Sequence, residues 1–204
     1  MHIRELAVSH SFEIRPTPFG DERGVFVEWF REDAIEAALK RRFPVRQANI
    51  SVSARGVVRG IHFADVPPSQ AKFVTAVHGA VLDFVVDIRV GSPTFGKWDS
   101  VRLDDTLHNA VFLAEGLGHC FVALSDHATV SYLISEPYNP AREHGISPFD
   151  DDIALDLPFD RSELLLSAKD REAPSLSEAR KVGLLPTWED AQELYARAAI
   201  PGVS

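Results

Sequence analysis

Arg59-Gly60-Ile61-His62-Phe63 and the run Pro67-Pro68-Ser69-Gln70-Ala71-Lys72 put a guanidinium, an imidazole and an ammonium in one short window. On a strand, alternate side chains share a face, and Gly60 leaves room for a backbone or ligand to come close. Cations on an inward face are costly unless an anionic ligand or a carboxylate compensates them. The cluster therefore suits an anion held beside an acid/base group. Farther along, Gly118-His119, Ser131-Tyr132 and Ser167-Ala168-Lys169-Asp170 add a second imidazole, a phenol, and a lysine next to a carboxylate. The combination points to proton chemistry on a phosphorylated substrate.

Each residue also has a plainer reading. His62 alone would be a hydrogen-bonded core histidine, and Lys72 or Arg59 could pair with Asp83 or Asp87 in a structural network. Arg23 and Glu28 lie near a turn, where charges are usually surface groups. Gln47, Asn49 and Ser51 alternate and so face one way, as they would on an open polar sheet face or in a ligand groove. Tyr132 shares a face with Val130 and Ile134 and reads alone as a core aromatic with a satisfied hydroxyl. Asp170 reads alone as a solvated loop residue. A metal site in a small β-barrel often uses two histidines one residue apart, but His62 is followed by Phe63 and Ala64. His62, His78 and His119 are scattered, so the spacing favours a metal-free site.

The elements that must position these residues are mostly strands. Phe12 to Arg15 forms an N-terminal strand, and Gly20-Asp21-Glu22-Arg23-Gly24 turns into a short strand, Val25 to Phe30. Arg31 to Arg42 reads as a helix stopped by Pro44. Leu82, Phe84, Val86 and Ile88 alternate with Asp83, Val85, Asp87 and Arg89, the period of a half-buried strand. Further strands fall at Lys97 to Leu103, Ala110 to Leu113, His119 to Leu124 and Thr129 to Ser135, separated by turn residues. This series predicts a mainly β fold, a sandwich or jelly roll. A helical tail begins at about Ser175, with Thr187 and Asp190 in capping positions. Trp188, Ala191, Leu194, Tyr195 and Ala198 form a stripe that packs on the β core or on a partner subunit.

At 204 residues the chain fits one domain, with 45% hydrophobic and 25% charged residues typical of a soluble protein. The net charge of -9 disfavours a broad nucleic-acid surface, so phosphate binding should be local. Cys120, the single cysteine, leaves no disulfide framework or thiolate zinc site and fits a reducing cytoplasm. Set in an apolar strand, it reads as core packing. No apolar run reaches membrane-spanning length, and the opening residues lack a signal segment.

Read together and in order, these motifs resemble the dTDP-4-dehydrorhamnose 3,5-epimerases and related dTDP-4-keto-6-deoxysugar epimerases. The resemblance runs from about Phe12 to Pro186. It rests on Gly20-Asp21-Glu22-Arg23-Gly24 with Glu28, Gln47-Ala48-Asn49-Ile50-Ser51, Arg59-Gly60-Ile61-His62-Phe63 and Gln70-Ala71-Lys72. Asp87-Ile88-Arg89-Val90-Gly91-Ser92-Pro93-Thr94-Phe95-Gly96, Gly118-His119, Tyr132 and Lys169-Asp170 complete it.

The resemblance implies a cupin-type jelly roll, a homodimer, and catalysis without metal or organic cofactor on a nucleotide-linked 4-ketosugar. It implies His62 as general base, Asp170 as its orienting carboxylate, Tyr132 as proton donor and Lys72 beside the C4 oxygen. Arg23, Glu28, Gln47, Asn49, Arg59, His119, Glu143 and Lys169 match positions that contact nucleotide, diphosphate or sugar, and Tyr138 a position that stacks on thymine. Leu133 stands where the family often has lysine, and Pro137-Tyr138 where it often has an aromatic pair. Those departures are expected to alter the sugar and base pocket and leave open whether C3, C5 or both are inverted. A nucleotide-sugar 3,4-ketoisomerase and a non-catalytic nucleotide-sugar-binding cupin are the rival readings.

Overall fold

The computed structural model describes residues 1–200. In chain order its elements are β1 (His2–Glu5), β2 (Ser11–Arg15), β3 (Phe19–Asp21), β4 (Gly24–Phe26), α1 (Glu32–Leu39), β5 (Gln47–Ser53) and β6 (Val58–Ala64). Then come β7 (Lys72–His78), β8 (Ala80–Val86), β9 (Trp98–Asp104), β10 (Ala110–Leu113), β11 (Gly118–Ala123), β12 (Ala128–Ile134) and β13 (Glu143–Gly145). A 3-10 turn at Arg161–Glu163 precedes α2 (Ala168–Arg171), α3 (Leu176–Lys181) and α4 (Trp188–Ala198).

Two antiparallel sheets form the sandwich. One runs β1-β2-β10-β7-β12-β5 and the other β13-β6-β11-β8-β9, while β3 and β4 make a separate hairpin. The mainly β, cupin-type expectation holds, as two facing sheets rather than one sheet closed into a barrel.

Three apolar clusters hold these layers together. Val74, Val81, Val85, Val111, Leu113, Phe121 and Val130 fill the space between the sheets. Ile61, Phe63, Phe84, Val86 and Cys120 form the outer face of the second sheet, covered by Ile146, Ile153, Leu176 and Leu185 from the C-terminal third. On the outer face of the first sheet, Phe73, Phe112 and Leu133 pack beneath Ile35 and Leu39 of α1 and Ala191 and Tyr195 of α4. A fully buried side chain such as Phe73, Phe84 or Phe112 stabilises the fold by roughly 1.5–3 kcal/mol.

This layering corrects the half-buried reading of β8. Val81 and Val85 point between the sheets, while Phe84 and Val86 point into the outer cluster, so both faces are buried. Its alternating acids are compensated internally. Asp83 pairs with His119, and Asp87 just beyond the strand pairs with Arg89 at 2.7 Å, both side chains fully buried. Lys72 and Arg59 join neither pair. Asp87 also accepts from the hydroxyls of Ser92 and Thr94, each at 2.6 Å, which makes the Asp87-to-Gly96 motif a structural knot.

Several boundaries differ from the sequence expectation. The early helix ends at Leu39 rather than Arg42, because Lys40 turns left-handed at φ 55° and its N–H closes on the Glu36 carbonyl. The strand expected over Val25 to Phe30 stops at Phe26, after which Trp29 and Phe30 pack on the third cluster. The tail starts as anticipated: Ser175 caps α3 in a reciprocal capping box with Glu178, and Thr187 caps α4 through the Asp190 N–H. Its stripe packs on its own chain through Ala191 and Tyr195. Residues 201–204 of the expected single domain lie outside the described residues.

Candidate active site

β6 carries His62 into the sandwich, and the local backbone there depends on Gly60. At φ 128°, a Cβ on Gly60 would lie 2.4 Å from the His119 carbonyl oxygen, so β6 and β11 can approach only with glycine at this point. The strands slip register between His119 and Phe121, and His119 lies directly opposite His62. The close approach expected at Gly60 is therefore made by a backbone.

His62 is one-third exposed and its Nε2 lies 2.6 Å from Oδ1 of Asp170, whose side chain is buried. Asp170 sits in the first turn of α2, where Ser167 accepts its N–H as N-cap. Asp170 is thus a held residue rather than a solvated loop. Burial pushes its carboxyl up, but the hydrogen bond and charge of His62, the Ser167 hydroxyl and Lys169 together hold it below the ordinary carboxylate range. An ionised Asp170 accepts from Nε2–H, which leaves Nδ1 of a neutral His62 as the free base.

The other sheet supplies the opposite wall. On β12, Val130 turns between the sheets and Tyr132 packs beside the same cluster. On β7, Lys72 opens the inner face continued by Val74. Gln47, Asn49, His62, Gln70, Lys72, Tyr132, Ile134, Tyr138 and Glu143 line one cleft of about 410 Å³. Gln47 donates to Asn49 at 2.9 Å and accepts the Tyr138 backbone N–H at 2.9 Å, fixing that rim. Burial, with the Glu143 charge, raises the Tyr132 phenol against the opposing pull of Arg59 and Asn49, so it is protonated at neutral pH. Burial pushes Lys72 down, against the supporting charges of Glu143 and Asp83.

The remaining expected residues are placed less uniformly. Arg59 is exposed on β6 opposite Phe121, on the side of the strand that faces the other sheet, bound to the Ser53 hydroxyl at 3.1 Å and near the Val52 carbonyl. His119 is buried below the cleft on Asp83. Lys169 opens onto an adjoining pocket of about 350 Å³ that shares Glu143 with the cleft. Arg23 and Glu28 do not line the cleft: Arg23 pairs with Asp21 on the β3-β4 hairpin, and Glu28 with Arg31 at 3.4 Å. His78 is exposed beside Asp105 and does not converge with His62 and His119.

Leu133 corrects an expectation. It is buried in the third cluster, on the opposite face of β12 from Tyr132, so its departure from lysine does not reshape the sugar pocket. Pro137 and Tyr138 do border the cleft and the pocket beside it. Sequence reasoning missed Gln70 as a lining residue, although it lies within the Gln70-Ala71-Lys72 motif, and gave Asp83 only a pairing with Lys72 or Arg59. An acid within an otherwise apolar strand was the available signal.

Comparison with known proteins decides the family. The family profile of dTDP-4-dehydrorhamnose 3,5-epimerase matches residues 5–178. The chain belongs to the dTDP-4-dehydrorhamnose 3,5-epimerase family. The family's relatives include a dTDP-4-dehydrorhamnose 3,5-epimerase of Mycolicibacterium smegmatis, 54% identical over 94% of this chain and 94% of that protein. A dTDP-4-dehydrorhamnose 3-epimerase of Streptomyces niveus is 51% identical over 99% of this chain and 97% of that protein. Among solved members of the epimerase family, a Mycobacterium tuberculosis epimerase superposes with a TM-score of 0.94 at 50% identity, covering 97% of this chain and 100% of the other.

Proposed function

We propose that His62, Asp170, Tyr132 and Lys72 form the catalytic set with which this chain inverts its sugar. The reaction class follows from the family: the chain is an epimerase of dTDP-4-keto-6-deoxyhexoses, acting at C3, C5 or both in deoxysugar biosynthesis. The observation that carries the residue assignment is His62 of one sheet, held at 2.6 Å by Asp170 of α2, in a cleft shared with Tyr132 and Lys72 from the facing sheet.

The C4 ketone acidifies the hydrogens on C3 and C5. Nδ1 of His62 takes one as a proton, and the C–H electron pair moves into an enolate with its charge on the C4 oxygen. The Lys72 ammonium stabilises that oxygen, a contribution worth about 3 kcal/mol for comparable oxyanion donors. Tyr132, on the opposite wall, donates its hydroxyl proton to the other face of the carbon as the enolate returns to the ketone, and it recovers a proton from solvent while the His62 imidazolium releases one. Inversion requires that opposition, and two sheets facing across a cleft supply it.

The nucleotide end is assigned to Gln47, Asn49, Arg59, His119, Glu143 and Lys169, with Tyr138, 57% exposed at the rim, as the stacking platform for the base. Arg23 and Glu28 would act from the hairpin of a second copy in a homodimer. The scheme needs no metal or organic cofactor, since a ketone, a base and an acid suffice.

The deciding experiment is proton NMR of dTDP-4-keto-6-deoxyglucose with the enzyme in deuterium oxide. Deuterium entering C3 or C5 with inversion is expected, and the labelled carbons distinguish a mono-epimerase from a 3,5-epimerase. His62→Ala should abolish exchange at every carbon, and normal exchange by that variant excludes this base. A migrated carbonyl would indicate a 3,4-ketoisomerase, and absence of any exchange a binding protein.

A further inference from the structure

Beneath the cleft lies a second histidine–carboxylate pair, of which the proposed scheme uses His119 and leaves Asp83 without a task. Asp83 has a fully buried side chain, and its Oδ2 lies 2.7 Å from Nε2 of His119, itself nearly buried. Its other oxygen, Oδ1, is buried with no hydrogen-bond partner among the described residues. A carboxylate oxygen so placed is expensive unless a cation answers it. Asp83 shares the inner face of β8 with Val81 and Val85, and Lys72 shares the inner face of β7 with Val74 and Ala76. Both therefore point into the same interior, where among the described residues Lys72 has no carboxylate within ion-pair distance.

We infer that Asp83 is a positioning residue: it fixes the His119 ring through Nε2 and, through the charge on Oδ1, keeps Lys72 in its ammonium form beneath the C4 oxygen. This rests on the assignment of Lys72 above. Burial alone drives an amine toward its neutral form, which cannot stabilise an enolate oxygen. Two carboxylates oppose that drive, Glu143 at the cleft rim and Asp83 from below. Glu143 also borders the two neighbouring pockets and is open to solvent, so its charge is better screened. Asp83 has no such dilution. Its bond also defines His119 as the Nε2–H tautomer or the imidazolium, directing Nδ1 to whatever the ring contacts.

Asp83→Asn preserves shape and removes the charge, and the test is the pH profile of kcat. Lys72 should then lose its proton at lower pH, moving the alkaline limb down by about one unit, so kcat on that limb falls about tenfold while the acid limb stays in place. Adding Lys72→Arg, whose guanidinium does not deprotonate, should remove the displacement. A uniform loss across pH with an unmoved alkaline limb would mean a merely structural Asp83 and overturn the inference. Lys72→Ala separates the two levels. If it exchanges solvent deuterium normally, the assignment of Lys72 fails and this inference with it; if it does not, only the Asp83 arm is being judged. Should Asp83→Asn fail to fold, nitrogen-15 NMR of the wild-type protein still decides. An unprotonated Nε2 on His119 at neutral pH would refute the pairing, and a protonated one supports it.

Discussion

If Tyr132 is the proton donor of the proposed scheme, it is the residue at which proton abstraction and inversion separate. Its phenol is half-buried on the wall facing His62, and burial raises its pKa, so it begins the reaction as an acid. Tyr132→Phe keeps the ring's packing and removes the proton. Inverted product should fall by about 10²- to 10⁴-fold, the usual worth of one positioned acid, while His62 still returns solvent deuterium to the original face. Mass spectrometry of recovered substrate checks this; full epimerisation by the variant would move the donor role to Tyr138 or water. At this scale the sequence was informative where chemistry and motif coincide. The His62–Asp170 pair, the inward Tyr132 and the buried Cys120 were all legible. Leu133 was not, because one step along a strand reverses the face, and only the packing of Phe73 and Phe112 shows which face is outer. Asp83 was only half legible: alternation set it on the face opposite Leu82 and Phe84, but the half-buried reading left that face open, and its partner comes from β11, a contact no local pattern encodes.

Elements were legible in proportion to their length and punctuation. The strands β10, β11 and β12 appear within a residue or so of expectation, since each is an apolar run bounded by turn residues. β1, β13 and α2 were missed, having only three or four residues each and too little periodicity to register, and β7 was missed despite its seven residues. The stripe on α4 was visible, but not the polar anchor beneath it. Arg89 donates to the Tyr195 hydroxyl at 2.9 Å, Tyr195 donates to the Glu115 carbonyl, and Arg41 reaches the Glu115 carboxylate at 2.6 Å. His10 stacks on Tyr195 with ring centroids 4.3 Å apart and meets Gln192, at a positive φ of 66°. Burial, then the charges of Arg89 and Arg41, lower its pKa from 6.5 to about 4 despite Asp87. The unfolded chain therefore binds a proton that the folded one refuses. The stability involved is present above about pH 6.5 and is lost as pH falls through about 4. His10→Asn tolerates the backbone and cannot titrate, so its urea-unfolding free energy should fall less than wild type's across that window. Parallel curves for the two proteins would show that His10 is not the responsible group.

At the scale of the whole molecule, the apolar surface is distributed as if part of the structure were elsewhere. Phe19, Val25 and Phe26 on the β3-β4 hairpin are each more than three-fifths exposed, and Ile50 and Val52 face outward from β5, the free edge of the six-stranded sheet. On β5 the polar Gln47 and Asn49 point into the cleft and the apolar residues point to solvent, the reverse of what an isolated sheet edge favours. A second copy covering these surfaces would resolve the inversion. It would also bring into use Arg23 and Glu28, which the motif resemblance implies as substrate contacts yet which lie off the cleft of their own chain. If each hairpin serves the partner's cleft, Arg23→Ala and His62→Ala damage different chains of one site. Each variant alone should be strongly impaired. Co-expressed, a mixed dimer would combine an intact His62 cleft from one chain with an intact hairpin from the other, regenerating one working site of the two. Activity of the tagged and purified heterodimer should therefore return to about half of wild type. Light scattering should give twice the chain mass for wild type, and Phe26→Ser should shift it toward monomer with loss of turnover. A mixed dimer no more active than either parent would place Arg23 outside the partner's site, and a wild-type monomer at working concentration would remove the dimer altogether.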